Sequence, residues 1–84
     1  MTVGFGVTVK YDQGKVDEVA LALLFLTMHK DGPAVRAWKG LDWAVLDRLH
    51  EKGWISDPKS KAKSVIMTDE GAVLAERLFL KHFG

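Results

Sequence analysis

Three lysines at alternating positions are the residues of this 84-residue sequence whose types and spacing best favour a specific chemistry. Lys59, Lys61 and Lys63 occupy a polar stretch between two short apolar segments, and on a β-hairpin an alternating set shares one face. With Arg36 and Lys39 they form a set of cations suited to contact the phosphates of DNA. The alternative interpretation is a solvated hairpin tip, on which lysine only prevents unwanted strand pairing.

Residue types that support catalysis or metal binding are missing or scattered. The sequence has no cysteine, which excludes disulfides, thiolate zinc sites and a cysteine nucleophile. His29, His50 and His82 stand too far apart for a local metal motif, and there is neither a phosphate loop nor a nucleophile elbow. We therefore expect no enzyme activity, no metal site, no cofactor and no small-molecule ligand.

Length and composition indicate a single domain over residues 1–84 with a thin core. Hydrophobic residues make up 48% of the chain, and the formal net charge of +1 creates no strong overall field. Neither a signal-peptide pattern nor an apolar run of membrane-spanning length is present. The expected location is cytoplasmic, without a membrane partner.

Hydrophobic periodicity predicts the elements that must position these side chains. Residues 3–11 alternate and predict an N-terminal strand within residues 1–11, which could pair with the hairpin, with residues 35–38 or with a second copy of the chain. Helices are predicted over 15–30, 42–52 and 68–83, with Asp42 and Thr68 as N-caps. Gly53 is expected to end the middle helix in the left-handed conformation and to open a hairpin over 53–67.

Two of these helices have apolar residues on more than one face. A helix that is apolar nearly all round is buried on most sides, so one face should meet the domain's own core and the other a partner. We therefore predict a homodimer. The predicted interface residues are Leu21, Leu24, Phe25, Met28, Phe79 and Phe83.

Three tryptophans bracket the middle helix. Trp38 and Trp54 are expected to fill the thin core, because large side chains suit that purpose. Trp43 lies at the start of the helix and could equally be exposed, where it could anchor an interface.

The second half of the chain carries an ordered set of features: a leucine-paired helix, a glycine cap, an aliphatic residue, a polar tip, a returning strand and a threonine-capped helix. The residues are Leu46, Leu49, Gly53, Ile55, Val65, Met67 and Thr68-Asp69-Glu70-Gly71. This order resembles the wing region of bacterial winged-helix domains, including dimeric regulators of the MarR and PadR kind. The expected fold is α+β: a reduced winged-helix-like domain with three helices, a two- to three-stranded wing sheet and an extra N-terminal strand.

Residues 17–79 also resemble a family of short bacterial domains of unknown function, which implies no activity. The matching segments are Val19 to Leu24, Arg36 to Gly40, Asp42-Trp43, Leu46 to Gly53 and Lys61 to Ser64.

One departure from the winged-helix pattern bears on function. Residues 31–41 are too short and too rich in glycine and proline for the second helix of a helix-turn-helix. The helix over 42–52 has three carboxylates against two fixed cations, which disfavours the major groove. Two hypotheses stay open: a nucleic-acid-binding or transcription-regulator-type protein that acts through its basic wing, and a homodimeric protein-interaction module that does not bind DNA.

Overall fold

The computed structural model describes residues 10–84, which form three α-helices and a three-stranded antiparallel sheet. The predicted α+β class is confirmed. The helices are α1 (Gln13–Leu24), α2 (Trp43–Glu51) and α3 (Asp69–Phe83), and the strands are β1 (His29–Asp31), β2 (Ala34–Trp38) and β3 (Ser64–Met67). Of the strand predicted over 1–11, residues 1–9 lie outside the described residues, and Lys10 and Tyr11 precede α1 without strand structure.

Helix α1 begins earlier and ends earlier than predicted. Asp12 is its N-cap and accepts a hydrogen bond from the Lys15 backbone N–H at 3.1 Å. The predicted end at residue 30 is wrong, because a 3-10 turn follows Leu24 and the chain then enters β1. Thr27 stabilises this exit: its hydroxyl donates to the Leu24 carbonyl at 3.2 Å and accepts from the Trp38 N–H at 3.1 Å.

The sheet has the order β1-β2-β3. Strands β1 and β2 form a tight hairpin, in which Gly32 takes a φ of 61° at the first of the two turn residues. The wing hairpin predicted over 53–67 is therefore largely replaced: β3 pairs mainly with β2, and the only residue on its other side in a β-bridge, among those described, is Ile55, opposite Met67. The segment before the tip is too short to form a full strand.

The ends of α2 and α3 follow from local chemistry. Asp42 caps α2 by accepting from the Ala44 N–H at 3.2 Å, and Gly53 follows the helix with a φ of 79°. Thr68 caps α3 by accepting from the Gly71 N–H at 2.9 Å. These three positions agree with the sequence-based expectation.

The core lies between the helices and the inner face of the sheet. Its fully buried members include Leu21, Leu46, Leu49, Ile55 and Val65. Leu46 and Leu49 of α2 both point inward to this core. Because side chains alternate along a strand, Ala37 and Val65 face this core, whereas Arg36, Trp38 and Ile66 lie on the outer face of the sheet.

Candidate nucleic-acid interface

The polar loop over residues 56–63, which we call the lysine tip, connects the Ile55 bridge to β3 and is held by side-chain hydrogen bonds. Lys39 Nζ donates to the carbonyl oxygens of Pro58 at 2.7 Å and Ser60 at 2.6 Å. At its base, the Ser56 N–H donates to the Ile66 carbonyl at 2.8 Å, and the Ser56 hydroxyl accepts from the Ile66 N–H at 2.9 Å. The tip therefore has a defined shape, and Pro58 is its buried residue.

Lys59, Lys61 and Lys63 are all exposed on the lysine tip. None of the ion pairs formed among residues 10–84 involves them. Asp57 is the only acidic residue in the tip, and its carboxylate accepts from the Lys59 backbone N–H at 2.9 Å. The tip thus presents several ammonium groups against one carboxylate, an arrangement that attracts phosphate.

Arg36 and Lys39, the other two predicted phosphate contacts, serve structural roles instead of lying free. Arg36 Nε donates to the Ser64 hydroxyl at 2.7 Å, its Nη2 donates to the Ser64 carbonyl at 3.2 Å, and its side chain is 19% exposed. Lys39 shapes the tip through its two carbonyl contacts, and its Nζ lies 5.6 Å from the centre of the Trp43 ring. The acceptors of Lys39 are uncharged, so its positive charge adds to that of the tip.

The tryptophans are distributed differently from the expectation. Trp38 is 54% exposed, so its predicted place in the core is wrong: the alternation of β2 puts Ala37 inside and Trp38 outside. Trp43 is 57% exposed at the start of α2. Trp54 packs against the core, as expected.

A buried carboxylate that sequence reasoning did not single out organises α1 and α2. Asp17 is 1% exposed and lies against Arg48 and Lys52 of the α2 region. Arg48 Nε donates to both carboxylate oxygens at 2.9 Å, and Lys52 Nζ donates to Oδ2 at 2.8 Å. Arg48 Nη2 is a closer ion-pair contact, 2.8 Å from Oδ1, but lacks hydrogen-bond geometry.

The contacts within this cluster shift the pKa values of Asp17 and Arg48. Burial alone would raise the pKa of Asp17, but the hydrogen bonds and positive charges of Arg48 and Lys52 outweigh burial and lower it below its ordinary value. The hydrogen bond to Asp17 in turn raises the pKa of Arg48. Asp17 offsets one of the two positive charges of this region, and none of the ion pairs formed among residues 10–84 involves Asp47 or Glu51 on α2.

The sequence offered one signal for the Asp17 cluster. Asp17 shares a helical stripe with Leu21 and Leu24, four and seven residues later. A carboxylate on a stripe that becomes the core requires a cationic partner. The partners lie more than thirty residues away along the chain, so spacing within α1 does not reveal them.

The predicted dimer-interface residues divide into two groups. Leu21 and Leu24 are buried in the chain's own core, at 0% and 3% exposure, so their assignment to an interface is wrong. Phe25 and Met28 are half-buried beside the sheet, and Phe79 stacks between Phe25 at 5.1 Å and the exposed Phe83 at 5.4 Å. The stripe of α1 that contains Leu21 and Leu24, which the sequence assigned to a partner, therefore faces the chain's own core.

The outward stripe of α1 lines an open apolar groove of about 450 Å³. Val16, Val19 and Leu23 form one wall, and Leu41 and Val45 form the other. Lys15 and Asp42 are the charged residues of its lining.

The described residues offer no cluster of three or more histidine or acidic side chains that could hold a metal ion. Over residues 10–84, no helix has the length and apolar character needed to cross a membrane.

Comparison with known proteins identifies relatives of this domain. Residues 12–84 match the family model described as a domain of unknown function, DUF6429. The chain is also similar to the uncharacterized protein y4hR of the bacterium Sinorhizobium fredii (strain NBRC 101917 / NGR234), with 51% identity over 72 residues, which cover 86% of this chain and 93% of that protein. No solved structure matches the chain significantly. With its helices and sheet all inside the matched range, the chain belongs to the DUF6429 family of domains of unknown function.

Proposed function

We propose that this protein binds nucleic acid through the phosphates, with the lysine tip as the contact surface, and that it does so without a catalytic step. The observation that carries the proposal is the exposure of Lys59, Lys61 and Lys63 on a tip with a defined shape. A cation on an ordered loop loses less conformational entropy on binding than one on a disordered loop. Release of counterions from the phosphates supplies the driving force.

The order of elements supports a relationship to winged-helix domains. Strand β2 precedes α2, and β3 lies between β2 and the Ile55 bridge, an order that supports the interpretation of the tip as a wing. Between β2 and α2 the chain has no second helix. We therefore propose a reduced winged helix that lacks a helix between β2 and α2.

The charge of α2 favours contact with phosphates over reading of bases in the major groove. Arg48 and Lys52 are bound to Asp17, whereas Asp47 and Glu51 form no ion pair among residues 10–84. A helix with unneutralised carboxylates is repelled by the phosphates on both sides of a groove. We therefore propose binding with little sequence preference.

Charge reversal at the tip tests the proposal. The variant Lys59→Glu/Lys61→Glu/Lys63→Glu should lose binding to labelled oligonucleotides, measured by fluorescence anisotropy at low salt. The matched control Lys10→Glu/Lys15→Glu/Lys30→Glu changes the net charge equally at exposed positions away from the tip. Equal loss in both variants would show attraction by net charge alone and would contradict the proposal, as would the absence of binding by the unmodified protein.

A second candidate function is homodimerisation, which the apolar groove of α1 favours. The groove is lined by the half-buried Val16 and Val19 and by Leu23, which is 40% exposed. A two-fold axis beside α1 would bury this stripe against its copy. This surface replaces the interface that the sequence suggested on the opposite stripe.

Light scattering at micromolar concentration tests the dimer. The unmodified protein should have the mass of two chains, and Leu23→Glu should have the mass of one. Leu80→Glu places the same charge on an exposed leucine of α3, 61% accessible, and should remain dimeric. A monomeric unmodified protein would refute this candidate.

A further inference from the structure

The outer face of the sheet carries an exposed tryptophan that the core does not use. Trp38 lies at the end of β2, directly opposite Ser64 of β3, and is 54% exposed. The His29 ring lies beside it, with ring centres 5.9 Å apart and a tilt of 34°. Ile66, also on this face, is 39% exposed. A sheet face with an open aromatic ring is the kind of surface on which nucleic-acid bases stack.

This aromatic face is continuous with the lysine tip. Beyond the Trp38–Ser64 pair, the Lys39 N–H donates to the Lys63 carbonyl at 3.2 Å, so the last rung of the sheet leads directly into the tip. Exposed Trp43 adds a second aromatic ring beside Lys39. A base on Trp38 would therefore have the tip lysines in the direction of its neighbouring phosphates.

Positive charge is distributed unevenly along this side of the molecule. Arg36 lies next to Trp38 on the outer face and is fixed by Ser64, but its Nε also lies 3.9 Å from Asp31 Oδ2, so these two charges largely offset each other. The net positive charge on this side of the molecule therefore lies on the lysine tip, where Lys59, Lys61 and Lys63 are exposed and take part in none of the ion pairs among residues 10–84. A polyanion with a base on Trp38 is thus attracted toward the tip.

We propose that the nucleic acid bound by this protein is single-stranded, with a base stacked on Trp38 and the adjacent phosphates held by Lys59, Lys61 and Lys63. The inference rests on the proposed function and deepens it. Bases in a duplex are stacked on each other and expose only their edges, so Trp38 is of use only for unpaired bases. The carboxylates of α2 act in the same direction, because they oppose insertion of that helix into a duplex groove.

Anisotropy titrations with three labelled probes test this inference: an oligo(dT) strand, an oligo(U) strand and a mixed-sequence DNA duplex of equal length. The unmodified protein should bind at least one of the single strands about tenfold more tightly than the duplex, and the two strands distinguish DNA from RNA. Trp38→Ala should weaken binding to that strand about tenfold or more and leave duplex binding unchanged. Trp38→Phe keeps a stacking surface and should retain most of the affinity.

The control is Phe83→Ala, which removes an aromatic ring of similar exposure, 52%, at the end of α3. This variant should bind the single strand as tightly as the unmodified protein. Retained duplex binding and an unchanged circular dichroism spectrum show that Trp38→Ala is folded. If Trp38→Ala unfolds the chain, Trp38→Phe and Trp38→Leu are compared instead, because leucine is apolar but has no stacking ring. The inference then requires that Trp38→Phe bind the single strand more tightly than Trp38→Leu. Tip-dependent binding that prefers duplex, or that ignores position 38, overturns this inference and leaves the proposed function standing. No binding to any probe overturns both.

Discussion

At the scale of single residues, Asp17 links the first helix to the second. Its carboxylate is 1% exposed and accepts from Arg48 and Lys52, each within 3 Å. Because a buried carboxylate loses its hydration, its charge is tolerable only with such partners. The carboxylate also offsets one of the two positive charges beside α2, while Asp47 and Glu51 of that helix take part in no ion pair among residues 10–84.

Asp17→Asn should lower the free energy of unfolding by about 2 kcal/mol, because it removes the charge from hydrogen bonds to two cations. Urea denaturation followed by circular dichroism measures the change. Glu51→Gln, an exposed carboxylate of α2, should change stability little. Equal effects of the two substitutions would contradict the role assigned to Asp17.

The lowered pKa of Asp17 determines how the stability of the fold changes with pH. The pKa of Asp17 is lower in the folded protein than its ordinary value of 3.8, so the unfolded chain binds a proton more readily there. The stabilisation by Asp17 is therefore complete above the unfolded pKa and is lost as pH falls through the folded pKa. The difference in Tm between the unmodified protein and Asp17→Asn should be constant from about pH 5 to pH 7 and shrink below about pH 4. A difference in Tm that grows as the pH falls would contradict this prediction.

At the scale of elements, the start of α3 is fastened to the end of α2. Thr68 accepts from the Gly71 N–H, and its hydroxyl donates to the Gly53 carbonyl at 2.7 Å. A Cβ on Gly71 would lie 2.0 Å from the Trp54 carbonyl oxygen. The Thr-x-x-Gly spacing therefore has a steric reason: the backbone at Trp54 passes directly over the first turn of α3.

Gly71→Ala should destabilise the protein by about 2 kcal/mol, because backbone must move to admit the methyl group. Helix propensity alone would favour alanine by about 1 kcal/mol, so the steric effect determines the sign. Gly40→Ala meets no atom within 4 Å and should be nearly neutral. The two melting temperatures, measured together, check the prediction, and a stabilised Gly71→Ala would contradict it.

Elements with short-range causes were predictable from the sequence, and those that depend on distant partners were not. Asp42, Gly53 and Thr68 act through residues next to them, so sequence places them correctly. The end of α1 depends on Thr27 accepting from the Trp38 N–H eleven residues away. The two stripes of α1 are equally apolar, so composition does not indicate that Leu21 lies inside and Leu23 outside.

At the scale of the whole molecule, exposed lysines and an exposed tryptophan lie next to each other at one end of the sheet. The lysine tip lies at one end, Trp38 beside it, and Asp31 at the far turn. The sequence predicted the tip lysines as exposed cations, because a polar loop rarely buries lysine. It did not predict that Arg36 and Lys39 would be bound to Ser64 and to carbonyls of the tip, since those contacts depend on the pairing of β2 with β3.

The salt dependence of binding tests the central claim most directly. Observed affinity for an oligo(dT) strand is measured by anisotropy over a range of KCl concentrations, for the unmodified protein and for Lys59→Gln/Lys61→Gln/Lys63→Gln. Each phosphate neutralised on a single strand contributes about −0.7 to the slope of log K against log salt. Loss of the three contacts should make the slope shallower by about 2, whereas Lys10→Gln/Lys15→Gln/Lys30→Gln should keep the original slope. An unchanged slope in the tip variant, or no binding by the unmodified protein at low salt, would contradict the account.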